Sequence, residues 1–304
     1  MFLGGRSGAI IPANCKLLQV DIDGTEIGRT LPINQGVISD VTEFTSALVL
    51  KLLDSGFPSI DTTWVKEVLS LKSLPQPWES DPPTQPSGLL HPYHALKRVF
   101  TATKPDTIVI IDGGEAGCWA NGLAPLCKPH AILSATGYLG FLGSGFGFAL
   151  GAAVACPDLR VLLIQGDGSA GFHLMELDTY KRLGLNITTV VVNNACWGMS
   201  RNGQDIIYGE GNPVRVTSSL SGEARYDGVG NALGAEGVRV NEIEKIGPTV
   251  RRLMAMEGPG CLDLIVDAKP THPFTAGSIS LTDDPDVVVV PYYENVVRPQ
   301  YNVK

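Results

Sequence analysis

The chain has 304 residues, 44% of them hydrophobic, and a formal net charge of −8. That apolar content suffices for one large domain or two modest ones. The negative balance, with no run of Lys or Arg, argues against nucleic acid or an anionic membrane as a partner. No window reaches the roughly 18–20 apolar residues of a membrane span. The start, MFLGGRSGAIIPANCK, lacks the charged and apolar regions of a signal peptide. The six cysteines are scattered with no Cys-x-x-Cys pair, which reads as reduced thiols of a cytoplasmic protein rather than disulfides or zinc ligands.

In chain order, KLLQVDID (16–23) predicts a buried strand. SDVTEFTSALVLKLLDSG (39–56) predicts a helix capped by Ser39 or Asp40, with Phe44, Leu48 and Leu52 at helical spacing and Gly56 as its stop. LKSLPQPWESDPPTQPSG (71–88) carries five prolines and little periodicity, the composition of a linker. The pieces before it are too few to close a sheet and read as the end of a domain. Beyond the linker the pattern becomes regular. HALKRVF is a short helix, DTIVIID (106–112) a strand ending in GGEAG, and GFGFALGAAVAC (145–156) a small-residue helix. RVLLIQ (160–165) is a strand, followed by a helix beginning near Gly171 with Phe172, Met175, Thr179 and Leu183 on or near one face. ITTVVV (187–192), a helix near 241–256 and CLDLIVD (261–267) complete the series. Alternating helices and continuously apolar strands predict an α/β fold, a parallel sheet with helices on both faces. The expected divisions are 1–56, a partial α/β domain; 57–90, the Pro-rich linker; 91–270, the main domain; and 271–304, a tail that wraps over the domain or a partner.

The chemistry is expected at the carboxyl ends of the strands, where open parallel sheets bind ligands. A right-handed crossover brings the loops after Gln165 and Val192 to the same end, so that Asp167 and Asn194 converge. Gly166 and Gly168 allow close backbone approach and offer N–H groups to an anion, and Ser169 adds a hydroxyl. One carboxylate, one amide oxygen and clustered N–H groups suit a Mg²⁺-bound diphosphate; an Asp–Gly turn and an Asn–Asn cap are the plain structural alternative. GSGFGFALG (143–151) lacks the G-x-G-x-x-G register because Phe148 and Leu150 interrupt it, which argues against a dinucleotide fingerprint. DIDGTEIGRTLP fails as a calcium loop, with Glu26 where glycine is needed and Pro32 where an acid should close it.

GDG, 24 intervening residues and then NN resemble the cofactor motif of thiamine diphosphate (ThDP) enzymes. DGGEAGCWA (112–120), GYLGFLGSGFGFALGAA (137–153) and NNACWGMS (193–200) are similar to the acetolactate synthase, benzaldehyde lyase and 2-hydroxyacyl-CoA lyase branch, and LLQVDIDGTEIGR (17–29) to the end of its central domain. The resemblance spans the chain but only the C-terminal half or so of a full-length member. It implies that residues 1–56 are a central-domain remnant and 91–270 the ThDP diphosphate-binding domain. It implies Mg²⁺ ligation by Asp167, Asn194 and the carbonyl of Cys196, with no role for that cysteine's thiol. It places Gly168 and Ser169 on the diphosphate, with Gly113, Gly114 and Glu115 on its other side. The Gly140 carbonyl would meet the cofactor's 4′-amino group, and Leu142 would be either the wedge that bends the cofactor or a core leucine. Trp197, Gly198 and Met199 would border cofactor and substrate, although a tryptophan there could equally be packing. Glu176 reads as an interface or surface acid, and His173 and His272 as structural.

In this family a glutamate of an N-terminal pyrimidine-binding domain activates the cofactor, and no such domain precedes Met1, so no catalytic residue is assigned. The expectation is the cofactor-binding C-terminal portion of a carboligase or lyase acting on 2-oxo acids or 2-hydroxy ketones, inactive without a pyrimidine-binding domain. It would form a homo-oligomer or pair with a partner bearing that domain. One subunit of a split decarboxylase, a non-catalytic ThDP-fold regulatory protein, and an unrelated phosphate-binding α/β protein are the alternatives.

Overall fold

The computed structural model describes residues 14–29, 32–59, 61–72, 74–135, 140–278, 280–281, 287–289 and 296–297. The chain divides into two compact units, one built on residues 76–278 and the other on residues up to 75 with 279–300.

In the smaller unit, β1 (Leu18–Asp21) pairs in parallel with β2 (Gln35–Ile38). Helix α1 (Val41–Ser55) follows, and of the two caps expected it uses Asp40, whose side chain accepts the Thr42 N–H at 2.7 Å. The expected burial of β1 is not observed: Leu18 is exposed, and no described residue of 14–75 is fully buried. A two-stranded ribbon and its helices have too little apolar surface to enclose a core. Helix α2 (Thr62–Lys72) stands inside the stretch read as a linker. Asp61 accepts the N–H groups of Thr63 and Trp64 and so starts it; the cluster of five prolines from Pro75 to Pro86 masks that signal. Short strands β9 (Ser280–Leu281), β10 (Val287–Val289) and β11 (Val296–Val297) pair antiparallel. The rest of the tail read as a wrap lies largely outside the described residues.

The larger unit is a six-stranded sheet, parallel throughout: β3 (Ile108–Ile111), β4 (Ala131–Ser134), β5 (Val161–Gly166), β6 (Ile187–Asn193), β7 (Glu236–Val240) and β8 (Gly260–Ile265), in the order β4-β3-β5-β6-β8-β7. β3, β5 and β6 are buried along nearly their whole length, as continuous apolar runs require. One face is covered by α3 (Pro92–Ala102), α4 (Glu115–Leu123) and α10 (Ile243–Ala255), which bury Leu96, Phe100, Trp119, Val250 and Leu253 against Val109, Ile164 and Leu262. The other is covered by α5 (Gly145–Ala155), α6 (Asp167–His173) and α7 (Glu176–Arg182), with Phe146, Leu177 and Tyr180 against Ile110, Leu163 and Val191. Helices α8 (Gly198–Tyr208) and α9 (Tyr226–Ala232) lie in sequence between β6 and β7. The element expected as one helix from Gly171 is therefore two short helices, the first starting at Asp167. Its core face is Leu174, Leu177 and Tyr180, whereas Phe172, Met175 and Leu183 are exposed. After β3 the chain moves outward to β4, then returns on the other side of β3 as β5. The ends of β3 and β5 thus flank a topological switch point, where such sheets open a crevice.

Candidate functional site

Three strand ends build the site. At the end of β3, Asp112 is fully buried; its Oδ1 accepts the Gly113 N–H at 2.5 Å and its Oδ2 the Gly145 N–H at 2.7 Å. This carboxylate ties the Gly113 turn to the start of α5. Gly113 has φ 98°, and a Cβ there would lie 3.0 Å from the Gly166 nitrogen, so the β3 and β5 ends close up only around glycine.

At the end of β5, Gly166 is the N-cap of α6, and Asp167, Gly168 and Ser169 form its buried first turn. Asp167 Oδ1 accepts the Gly168 N–H at 2.9 Å, while Oδ2 is buried without a hydrogen-bond partner. Burial pushes this carboxyl up to about 7, against the lowering effect of the Gly168, Cys196 and Ala195 N–H groups. Those N–H groups come from the β5 and β6 ends, so the expected convergence is present.

At the end of β6, Asn194 Oδ1 accepts the Cys196 N–H at 3.3 Å, and Ala195 between them has φ 55°. The segment is pinned by Trp197 N–H to the Ser218 carbonyl and Leu220 N–H to the Ala195 carbonyl, both 2.8 Å. Burial raises the Cys196 thiol to about 11, which keeps it neutral. The Trp197 ring covers Gly168 so closely that a Cβ there would sit 2.9 Å from it. A Cβ on Gly198 would lie 3.0 Å from the Asn194 amide nitrogen and 3.1 Å from Glu115 Cβ.

A cavity of about 200 Å³ lies between these ends, and every candidate read from the sequence lines it: Gly113, Gly114, Glu115, Gly140, Leu142, Asp167, Gly168, Ser169, Asn194, Cys196, Trp197, Gly198 and Met199. Ala116, Gly166, Val192 and Ser200 complete the lining. Two side chains are engaged differently from expectation. The Ser169 hydroxyl accepts the Gly143 N–H at 3.0 Å and donates to Gln165 Oε1 at 3.3 Å, so its proton is turned into the protein. The Glu115 carboxylate accepts the His272 N–H, and the Thr275 hydroxyl at 2.6 Å, so it fastens the segment around helix α11 (Pro273–Ser278) beside the cavity. Burial raises its pKa. Asp112, Gln165 and Tyr226, whose hydroxyl donates to the Asp167 carbonyl at 3.2 Å, went unread. Asp112 alone had a sequence signal, an acid directly before paired glycines at a strand end.

No group of three His, Cys, Asp or Glu that could hold a metal occurs among the described residues. The donors available here are one carboxylate, one amide oxygen and main-chain carbonyls. That set suits a hard cation completing its shell with phosphate oxygens and water, and not zinc. The unpartnered Asp167 oxygen is costly when buried unless a ligand meets it. On these two observations the site fits a Mg²⁺–diphosphate unit.

Comparison with known proteins agrees with this geometry. A family model described as "Thiamine pyrophosphate enzyme, C-terminal TPP binding domain" matches residues 112–264. The chain is 30% identical over 267 residues to a probable acetolactate synthase of Mycobacterium bovis, covering 88% of this chain and 47% of that protein. It is 27% identical over 259 residues to a sulfoacetaldehyde acetyltransferase of Castellaniella defragrans, covering 79% and 42%. The chain thus spans about half the length of the curated relatives it matches. Its structure resembles that of a Rhodococcus jostii thiamine diphosphate-dependent 4-hydroxybenzoylformate decarboxylase with a TM-score of 0.65 and 20% identity, over 84% of this chain and 45% of that one. This last likeness establishes the fold.

Proposed function

We propose that this chain, which belongs to the thiamine pyrophosphate enzymes through their C-terminal TPP-binding domain, holds thiamine diphosphate and Mg²⁺ in the cavity between β3, β5 and β6. The chemistry served would be acetolactate synthase-like formation or cleavage of C–C bonds on 2-oxo acids or 2-hydroxy ketones. The observation that carries this reading is the buried, unpartnered Asp167 oxygen at a cavity that Asn194 and Cys196 also line. In this reading Asp167, the Asn194 side-chain oxygen and the Cys196 carbonyl hold the cation. The backbone at Gly168, Gly113 and Gly114 cradles the diphosphate, at positions where an added Cβ would press on Trp197, Gly166 and Met199. Bound there, the cofactor supplies the electron sink that C–C chemistry next to a carbonyl needs. Leu142, Val192, Met199 and the Trp197 ring wall the cavity with apolar surface, keeping water away and strengthening the charge interactions inside.

Among the described residues lining the cavity, the carboxylates are Asp167 and Glu115, and Glu115 is fastened to His272 and Thr275. The carboxylate that activates the cofactor is therefore proposed to come from a pyrimidine-binding domain outside these 304 residues, on a partner or elsewhere in a longer chain. Exposed Phe148, Phe172 and Met175 supply apolar surface for such an assembly.

Calorimetric titration tests the cofactor reading: ThDP should bind only with Mg²⁺ present, and a folded sample that takes up neither would overturn it. Turnover of pyruvate or benzoin, with and without a co-expressed pyrimidine-binding domain, tests the chemistry. Activity should need both parts, and cofactor binding without turnover in any combination would favour a non-catalytic role.

A further inference from the structure

Asp263 has no place in the cavity, yet it is fully buried in the middle of β8, between Leu262 and Leu264. A carboxylate there opposes folding unless the groups around it use it. Its Oδ1 accepts the side-chain N–H of Asn193 at 2.9 Å. Asn193 is itself buried at the end of β6, and its own Oδ1 accepts the Ala195 N–H at 3.2 Å. Ala195 is the residue with φ 55° between Asn194 and Cys196, so this bond holds a turn that few non-glycine residues adopt.

A second route leaves the other side of the carboxyl. Arg239 of β7 faces it at 3.4 Å and is anchored by the Ala224 carbonyl at 2.8 Å and the Gly222 carbonyl at 3.4 Å. Two residues after Ala224 stands Tyr226, whose hydroxyl donates to the Asp167 carbonyl at 3.2 Å. One side chain outside the cavity is thus joined to both loops that carry the oxygens assigned to the cation.

We propose that Asp263 is a positioning residue for the metal-binding loops, fixing the Asn194–Cys196 turn through Asn193 and the Asp167 backbone through Tyr226. The proposal rests on reading the cavity as a Mg²⁺–ThDP site. Partners that orient metal ligands from behind typically govern roughly 10–100-fold in metal affinity.

Two measurements on the full chain test it. With ThDP saturating, Asp263→Ala should raise the calorimetric Kd for Mg²⁺ by about 10-fold or more. Asp263→Asn, which keeps an oxygen for Asn193, should recover most of that loss. In the unliganded chain, amide hydrogen exchange should speed up over residues 193–198 in Asp263→Ala and in Asn193→Ala, and stay unchanged over α3. Asn193→Ala cuts the link without altering β8, so it decides the matter if Asp263→Ala does not fold. Unchanged Kd and exchange at 193–198 would overturn the proposal, as would exchange that rises equally across the sheet. If the unaltered chain binds no Mg²⁺–ThDP, the cofactor reading falls, and the exchange measurement still judges the loop-positioning role separately.

Discussion

Asp167 carries the strongest conflict between folding and function. Its carboxyl titrates near 7 in the fold, against an ordinary value of about 3.9 for an unfolded chain. The folded state therefore binds the extra proton between those values. Stability from this group is complete below about pH 4 and is lost as pH rises through about 7. A bound cation reverses the sign by favouring the ionised form. Asp167→Asn should accordingly raise the melting temperature of the unliganded chain at pH 8, with little change at pH 4, while abolishing stabilisation by Mg²⁺–ThDP. Thermal melts at both pH values, with and without ligand, check this; a destabilised variant at pH 8 would contradict it. Gly168 gives a second test. Its Cβ would meet the Trp197 ring at 2.9 Å, and overpacking of this kind costs about 1–3 kcal/mol. Gly168→Ala should weaken ThDP binding in calorimetry by about tenfold or more, whereas Gly171→Ala, with open space around it, should not. Asp167 and Asn194 are legible because their spacing places them at neighbouring strand ends, whereas Gly113–Glu115, Gly140, Leu142 and Cys196–Met199 follow from the family resemblance. Hydroxyl and carboxylate directions were not: Ser169 turns to Gly143 and Gln165, and Glu115 to His272 and Thr275. Gly143, His272 and Thr275 lie far away in sequence, and no local pattern announces them.

At the scale of elements, apolar runs located each strand of the main sheet except β4 and β7. β4 (AILS) offers an apolar run of only three residues and β7 (EGVRV) is interrupted by Arg239, so neither stands out as a continuous apolar run. The helix after β5 begins at Asp167, ahead of the start expected near Gly171. A Gly–Asp–Gly stretch reads as a turn from propensity, yet here Asp167 and Gly168 form the first turn of α6, held by the close packing of Trp197 and the β3 end. The assignment of its apolar residues also went astray, because a short helix followed by a second one rotates the face that meets the sheet. Tyr180 shows which face won. Its ring is fully buried and its hydroxyl donates to the Phe146 carbonyl in the first turn of α5 at 2.6 Å. This bond joins the two helices on one side of the sheet. Tyr180→Phe leaves a buried carbonyl short of its donor, so chemical denaturation should show a loss of about 1–2 kcal/mol. Tyr93→Phe, whose hydroxyl meets Glu79 in a part-buried setting, should cost less.

At the scale of the molecule, the two units differ in what holds them. Residues 76–278 enclose two apolar layers, one on each face of the sheet. Residues 14–75 bury nothing completely among those described. The sequence showed this asymmetry in outline, since the stretch before the prolines had too few strands for a sheet, but it placed the boundary across 57–90 because proline content outweighed the periodicity of α2. The observed division falls at Pro75–Gln76. Pro77–Ser80 belongs with the larger unit: Trp78 stacks edge-on to Trp119 at 5.5 Å and lies 5.7 Å from His272. The cavity draws all its lining from residues 113–200, and its Glu115 fastening from His272 and Thr275. A fragment of residues 76–278 should therefore melt cooperatively and bind Mg²⁺–ThDP with the affinity of the full chain. A fragment starting at Gly88, which lacks Trp78, should melt lower, because truncating a buried aromatic typically costs about 3–5 kcal/mol and Trp78 is only partly buried, placing its share below that range. Residues 14–75 alone should show the circular dichroism of a largely unfolded chain. Calorimetry and thermal melts on the three fragments check these outcomes. A 76–278 fragment that folds but loses cofactor affinity would show that binding draws on residues outside the larger unit.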